Sequence, residues 1–435
     1  MLRLPLTTRG RRGAGLGSSL ALALAMVAGT AVTTVALTEP ALAQRNRNQQ
    51  QPQEPTLSRN FQPVYQAVAN ATNTTGDYAG AKAQVPALLA AIASEYDRFF
   101  AGNIMLQLGT KANDKPLQRQ GLELMVQSGQ GTPADNGLFH YFLGGIAYDA
   151  GDYAAALREA QASLATGYTG DFAQQQDPWL LAADSYFKLG QNREGIAFLK
   201  NAIEQRTAAG QPVREQWLPR AIAVAYQQNM MAEASELSAL LVRSHPTPGN
   251  WTQALQVGIS LVGSDAQTRL DVLRLMALTD SLSQRGEFET YVAVLDPRVL
   301  ANEVTKVLEA GVQKGVFTNS DPFYTENRRV ADSRTAGEPG LAADYAAEAR
   351  SASNGRPALN AGDIYLSLGE FAQAEAMFAL ALEKGGGDRD QILTRLGIAQ
   401  VRQGKNAEAK ATFAQVSGQR AAVARMWTLY ADTRA

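Results

Sequence analysis

Small and apolar residues recur at fixed intervals in the stretch GDIYLSLGEFAQAEAMFALALEKGG, which begins at Gly362. Gly362 and Tyr365 are three positions apart and share one face of a helix, where the glycine lets a neighbouring helix approach closely. Gly369 ends that helix, and apolar residues then return at intervals of three and four. These are Phe371, Ala374, Phe378 and Ala381. The spacing therefore predicts two helices that pack on each other as a hairpin.

The same pattern occurs at other places in the chain. It returns 35 residues later, where Gly397 takes the place of Gly362 and Gly404 that of Gly369. Two more copies lie upstream, at 141–164 and 179–203. These stretches resemble the tetratricopeptide repeat, a helix-turn-helix unit of about 34 residues. The resemblance implies an all-α fold, an α-solenoid of helix-turn-helix repeats in two blocks, in which each hairpin buries its apolar face against the next.

Weaker copies extend the predicted array, and residues 91–128 are expected to supply a hairpin with little of the motif left. Tyr148, Phe187 and Tyr226 recur at intervals of 39, so the middle units are expected to be longer than the standard repeat. The last segment is expected to be a helix that caps the open end of the array. From these patterns we predict an N-terminal array over 58–246, degenerate helical repeats over 247–317, a hinge-like segment with one short helix over 318–356, and a C-terminal repeat pair with a capping helix over 357–435.

The first 43 residues differ from the rest. Four arginines precede any acidic residue, an apolar stretch begins at Leu16, and the small residues Ala41 and Ala43 follow. This order is typical of a secretory signal peptide, so we expect residues 1–43 to be removed and the protein to work in the periplasm. An uncleaved membrane anchor stays possible, because the apolar stretch is near spanning length. Residues 44–57 are polar and rich in Gln, which predicts a disordered linker.

The composition argues against several kinds of function. Basic and acidic residues number 40 and 41, which gives no electrostatic reason to expect a nucleic acid partner. The chain has no cysteine, which excludes disulfides, a cysteine nucleophile and a lipoprotein anchor. Its two histidines, His140 and His245, have no Ser or carboxylate at a known mechanistic spacing. We therefore predict no enzyme activity, no cofactor and no metal site.

Repeat arrays of this kind offer a concave groove lined chiefly by the first helix of each hairpin, to which a peptide or a partner's helix can bind. By the resemblance, seven residues are candidates for contact with a partner, although the aromatic ones could equally pack against the next hairpin. The seven are Tyr141, Tyr148, Leu180, Asp184, Phe187, Arg220 and Tyr226. One subfamily grips a C-terminal carboxylate with Lys, Arg and Asn on successive first helices. Those residue types are missing here, so that ligand is not expected.

The sequence favours a non-catalytic binding or assembly scaffold for a protein or peptide partner in a bacterial envelope. Two other hypotheses stay open. The chain could be an envelope enzyme that acts on glycan or peptide with a carboxylate site within 251–356. It could also be a membrane-tethered cofactor of an export or cell-wall machine, which requires residues 1–43 to stay attached. Without them, no stable membrane anchor is expected.

Overall fold

The computed structural model describes residues 56–171, 173, 175–211, 213–262 and 265–434. Within these residues the chain forms 21 α-helices and no strand. The predicted all-α fold is therefore confirmed. The predicted signal peptide, 1–43, lies outside the described residues, as does the predicted linker apart from its last two residues.

The chain divides into two compact units between Gln205 and Arg206. This boundary falls inside the segment 58–246, which the sequence analysis treats as one array. In the first unit, consecutive helices pack as hairpins, α1 on α2, α3 on α4 and α5 on α6. The last helix, α8, crosses the boundary. The bounds are α1 Phe61–Asn70, α2 Tyr78–Ala90, α3 Glu95–Lys111, α4 Lys115–Gln127, α5 Pro133–Asp149, α6 Tyr153–Ala165, α7 Pro178–Lys188 and α8 Asn192–Ala208.

The hairpin predicted over 91–128 is confirmed as α3 and α4, and glycine explains how closely these helices pack. A Cβ atom placed on Gly102 would lie 2.5 Å from the carbonyl oxygen of Gly121, which faces it from α4. Polar side chains begin the helices: the Ser94 and Asp114 side chains accept hydrogen bonds from backbone amides in the first turns of α3 and α4. The local sequence therefore fixes both where these helices start and how they meet.

In the second unit each helix packs on the next one along the chain. The bounds are α9 Trp217–Gln227, α10 Met231–Ser244, α11 Pro248–Leu261, α12 Ala266–Leu278, α13 Arg285–Leu295, α14 Ala301–Gln313, α15 Pro322–Thr335, α16 Glu338–Ser351, α17 Arg356–Leu368, α18 Phe371–Lys384, α19 Arg389–Arg402, α20 Asn406–Phe413 and α21 Ala421–Asp432.

The segment 318–356 contains two helices of 14 residues, α15 and α16, where the sequence analysis expects one short helix. The expectation of one short helix is wrong because the prolines of this segment lie in the first turns of two helices. Pro322 follows the cap residue Asp321 at the start of α15, and α16 also has a proline in its first turn. Proline at this position lacks only an amide that has no partner in the helix, so it begins a helix without cost.

The hairpin at Gly362 has the predicted form. Gly369 has a φ of +89° and ends α17 in the left-handed conformation that favours glycine. A Cβ atom on Gly362 would lie 2.5 Å from the Phe378 ring, so only glycine leaves room for α18. Gly397 meets Phe413 in the same way in the next hairpin.

The last helix, α21, closes the second unit on itself. It packs on α19 and α20 and also on α10, α11 and α12, the early helices of the same unit. The ring of Trp251 on α11 lies 5.9 Å from that of Tyr430 on α21, and Trp427 is 1% exposed. The predicted helix thus exists, but it packs on early as well as late helices of the second unit instead of capping an open end.

Candidate ligand groove in the second unit

The closed second unit contains a groove of about 460 Å³ between α12, α13, α14, α17, α19 and α21. Its floor consists of buried, mostly apolar side chains that include two aromatic rings and an indole. These are Leu282, Phe288, Tyr291, Val307, Leu366, Ile398 and Trp427. The volume is within the range of about 300–1,000 Å³ that is typical of ligand pockets.

The rim of the groove carries exposed charges, three of them positive. Lys314 pairs with Asp280 at 2.7 Å, so these two charges offset each other. The Lys306 ammonium donates to the carbonyl of Ser367 at 2.9 Å, at the C-terminal end of α17, where a cation is favoured by the helix dipole. The Arg402 guanidinium lies 4.3 Å from the centre of the Phe371 ring.

No carboxylate of the described residues lies within 4 Å of the charged groups of Lys306 or Arg402. The groove therefore joins an apolar floor to a rim with excess positive charge.

A buried ionic network lies next to the groove, centred on Asp271. We call it the Asp271 network; it consists of Asp271, Arg274, Glu303, Asp363, Arg395 and Arg420. Arg420 donates to Asp271 at 2.7 Å, and the Trp427 indole N–H donates to the Asp271 carbonyl at 2.9 Å. Both donors belong to the last 16 residues of the chain. The Asp271 network therefore helps to hold the C-terminal segment on α12.

Glu303, another carboxylate of the Asp271 network, borders the groove. Arg274 donates to both oxygens of Glu303, each at 2.9 Å, and the Tyr291 hydroxyl donates to the same carboxylate at 2.8 Å. Arg274 also contacts Asp271 at 3.2 Å and thus bridges the two carboxylates. Every oxygen of Glu303 is occupied by a donor from the protein.

The arginine charges set the protonation states of Asp271 and Glu303. Burial by itself would raise the pKa of Asp271, but Arg395, Arg420 and Arg274 outweigh it and the pKa is lowered. The pKa of Glu303 is lowered in the same way by Arg274. Burial, followed by the negative charge of Glu303, raises the pKa of Tyr291 well above its ordinary value. Asp271 and Glu303 therefore stay ionised near neutral pH and are poor proton donors.

None of the seven predicted contact residues lines this groove. Tyr141 is 2% exposed and donates to the Gln175 carbonyl at 3.2 Å, and burial raises its pKa to about 12. Tyr141 thus offers almost no surface to a partner in this conformation. The Tyr148 ring is half-buried and lies 5.2 Å from the Tyr153 ring. Phe187 lies against Gly195, where a Cβ atom would be 2.6 Å from its ring.

The remaining four candidates are more accessible. Leu180 and Asp184 on α7 and Tyr226 on α9 are half-buried, and Arg220 on α9 is exposed. Their contact with a partner stays a prediction. The groove residues Lys306, Phe371 and Arg402 were missed, because they come together only when distant helices close on each other.

The two histidines have structural partners. His140 Nδ1 lies 2.7 Å from a Glu159 oxygen, and His245 Nε2 lies 3.3 Å from the Val213 carbonyl. Among the described residues no group of three or more His, Asp or Glu side chains could hold a metal ion. In the same part of the chain no helix is both long and apolar enough to cross a membrane.

Comparison with known proteins agrees with the hairpin at the groove. The tetratricopeptide repeat family profile matches residues 356–383, which form α17 and nearly all of α18. The second unit therefore contains a tetratricopeptide repeat. The matched hairpin supplies Leu366, Ser367, Gly369 and Phe371 to the groove. A search of curated proteins finds no match.

Two solved structures are similar to this chain. One is the pentatricopeptide repeat protein PPR10 from maize, with 16% sequence identity and a TM-score of 0.33; the match covers 81% of this chain and 48% of that one. The other is Naa15/Naa10 bound to HypK-THB, with 13% identity and a TM-score of 0.27, covering 83% of this chain and 64% of that one. The chain thus spans less than two thirds of the length of either structure.

Proposed function

We propose that this protein is a non-catalytic scaffold of a bacterial envelope that binds a protein or peptide partner through the groove of the second unit. The observation that carries the proposal is the groove itself, with its apolar floor, its exposed cations and its place beside a tetratricopeptide repeat hairpin. Aromatic and apolar floors of this kind supply binding energy, and a polar rim supplies orientation. The repeat fold is itself typical of proteins that bind other proteins.

The enzyme hypothesis places a carboxylate site within 251–356. Within that segment the side chains of Asp271 and Glu303 are 0% and 13% exposed, and Glu338 is also buried. The first two are held as anions by arginines, and Glu338 accepts two hydrogen bonds from Asn302 at 2.7 Å. Hydrolysis of glycans commonly needs one carboxyl group that is protonated near neutral pH. The lowered pKa values of Asp271 and Glu303 thus favour a binding role over acid catalysis.

Photo-crosslinking tests the proposal. The crosslinking amino acid p-benzoylphenylalanine replaces Phe371 at the groove or, as control, Leu341, which is 40% exposed on α16 and does not line the groove. After irradiation in envelope extract, we expect a discrete protein adduct from position 371, identified by mass spectrometry, and none from position 341. Identical adduct patterns at the two positions, or no adduct at either, would count against binding in the groove.

The envelope location rests on the sequence of residues 1–43 alone. We propose that this segment is removed after Ala43 during export, which leaves Gln44 as the first residue. Amino-terminal sequencing of the protein from fractionated cells tests this proposal. If residues 1–43 are retained in the membrane fraction, the scaffold is tethered, as the third hypothesis requires.

A further inference from the structure

We infer that the groove of the second unit takes an acidic peptide segment that carries a bulky apolar side chain beside its carboxylate. The inference rests on the proposed function and adds the chemistry of the partner. Three observations support it: two rim cations have unused hydrogen-bond donors, these cations lie at the same end of the groove, and the floor beside them is apolar.

Two cations of the rim have hydrogen-bonding capacity left. Lys306 has three N–H donors, and the described residues give it only carbonyl partners, Ser367 at 2.9 Å and Leu368 at 3.4 Å. Arg402 has five N–H donors, and in the described part of the chain its side chain has a ring contact but neither a hydrogen bond nor an ion pair. Both residues are exposed. A ligand with a carboxylate would supply the acceptors that these donors lack.

The two cations lie at the same end of the groove. A Cβ atom placed on Gly369 would be 3.8 Å from Lys306 Nζ and 3.9 Å from Phe371 Cζ, so both atoms lie within 4 Å of one point. The Arg402 Cζ atom lies 4.3 Å from the centre of the same Phe371 ring. This contact restricts the side chain, which lowers the entropy lost when the guanidinium binds a carboxylate. The third rim cation, Lys314, is already paired with Asp280.

The floor next to this charged end suits an apolar side chain better than a second charge. Phe288, Val307 and Ile398 line it and are at most 5% exposed. A peptide with Asp or Glu next to Leu or Phe would satisfy the cations and cover the floor at once. The chain's own segment 44–57 fits poorly, because it carries two arginines and one glutamate.

Peptide selection provides a test that does not require the partner. A random twelve-residue phage library is selected on the purified protein, and the consensus peptide is made with a fluorophore for anisotropy titration. We expect the enriched peptides to place Asp or Glu beside a bulky apolar residue. We also expect affinity to fall as sodium chloride is raised, because exposed charges are screened.

Matched variants assign the binding to the rim. Arg402→Gln and Lys306→Gln should each weaken binding about tenfold, since a hydrogen bond to a charged group is worth about that factor. Arg425→Gln removes an exposed arginine of α21 that does not line the groove, and should leave the affinity unchanged. Replacing the acidic residue of the peptide with its amide should cause the same loss as Arg402→Gln. Circular dichroism confirms that each variant keeps its helix content.

Any other outcome contradicts the inference. The different outcomes also show whether the proposed function fails with it. If the enriched peptides lack acidic residues, or if both rim variants bind with unchanged affinity, the inference is wrong. The protein would then still be a peptide-binding scaffold, but with another ligand chemistry or another site. Displacement of the probe by a synthetic peptide of residues 44–57 would identify the occupant as this chain itself. A library with no enriched peptide would contradict the inference and the proposed function together.

Discussion

Replacing Asp271 with asparagine tests whether charge holds the second unit closed. The variant keeps the size of the side chain but removes the carboxylate shared by Arg274, Arg395 and Arg420. Arg274 would keep Glu303, and Arg395 would keep Asp363. Arg420, 4% exposed, would keep only carboxylates at 3.9 Å that are more than half exposed. The change thus leaves a buried cation without a close partner.

The expected loss of stability is large for a single substitution. Removing one partner of a buried ion pair typically costs about 3–5 kcal/mol. Because a domain of this size shifts its unfolding temperature by about 2–4 °C per kcal/mol, the second unit should melt about 6–20 °C lower. Circular dichroism measures the shift, and hydrogen exchange of residues 421–432 reports whether α21 has detached. Asp280→Asn, which breaks the exposed pair with Lys314, should cost less than about 1 kcal/mol.

A double variant separates the charge effect from general damage at the site. If Arg420 is the group left unpaired, Arg420→Met should recover part of the loss in the Asp271→Asn background, so the two changes should not add. The reasoning is refuted if Asp271→Asn costs no more than Asp280→Asn. It is also refuted if α21 keeps its full protection against exchange in the variant.

Two further predictions concern local features. Burial would raise the pKa of Asp97, but hydrogen bonds from Ser58 and Ala93 are among those that lower it. The ionised Asp97 therefore contributes to the stability of the first unit above about pH 3.9, and this contribution is lost below that pH. In Asp97→Asn the denaturant midpoint of the first unit should fall less steeply between pH 5 and 3, and equal slopes would contradict this. Gly362→Ala should destabilise the second unit by about 1–3 kcal/mol, because the added Cβ meets the Phe378 ring. A Cβ on Gly340 has nothing within 4 Å, so Gly340→Ala should be neutral or stabilise the unit by up to about 1 kcal/mol. Thermal melts measure both changes, and equal effects would disprove the packing explanation.

The sequence allows accurate prediction where contacts are local. The α17–α18 hairpin follows from the spacing of Gly362, Gly369 and Phe378, because each contact joins neighbouring helices. The Asp271 network was not predictable in this way. Asp271 and Arg420 are 149 residues apart, and in sequence each resembles a solvated charge on an amphipathic helix. Only the fold shows that they pair.

The groove was missed for the same reason, since it needs Phe371, Arg402 and Trp427 from three different helices. Repeat motifs describe how one hairpin packs on the next. They contain no information on contacts between the first and last helices of a unit. The aromatic series that includes Tyr148 and Phe187 is periodic. Periodicity marks residues that repeat a packing role, whereas the residues of the groove are unique along the chain.

Closure of the second unit and formation of its groove have one physical cause. Trp427 lies in the floor of the groove and also donates to the Asp271 carbonyl, so α21 serves both. The entropy cost of closing a loop rises by about 0.6 kcal/mol for each doubling of its length, so a contact across 149 residues costs only about 1 kcal/mol more than one across a single repeat. Burial of one aromatic side chain returns about 1.5–3 kcal/mol. Trp427 alone can therefore offset the extra length, and the Asp271 network then determines in which position α21 docks.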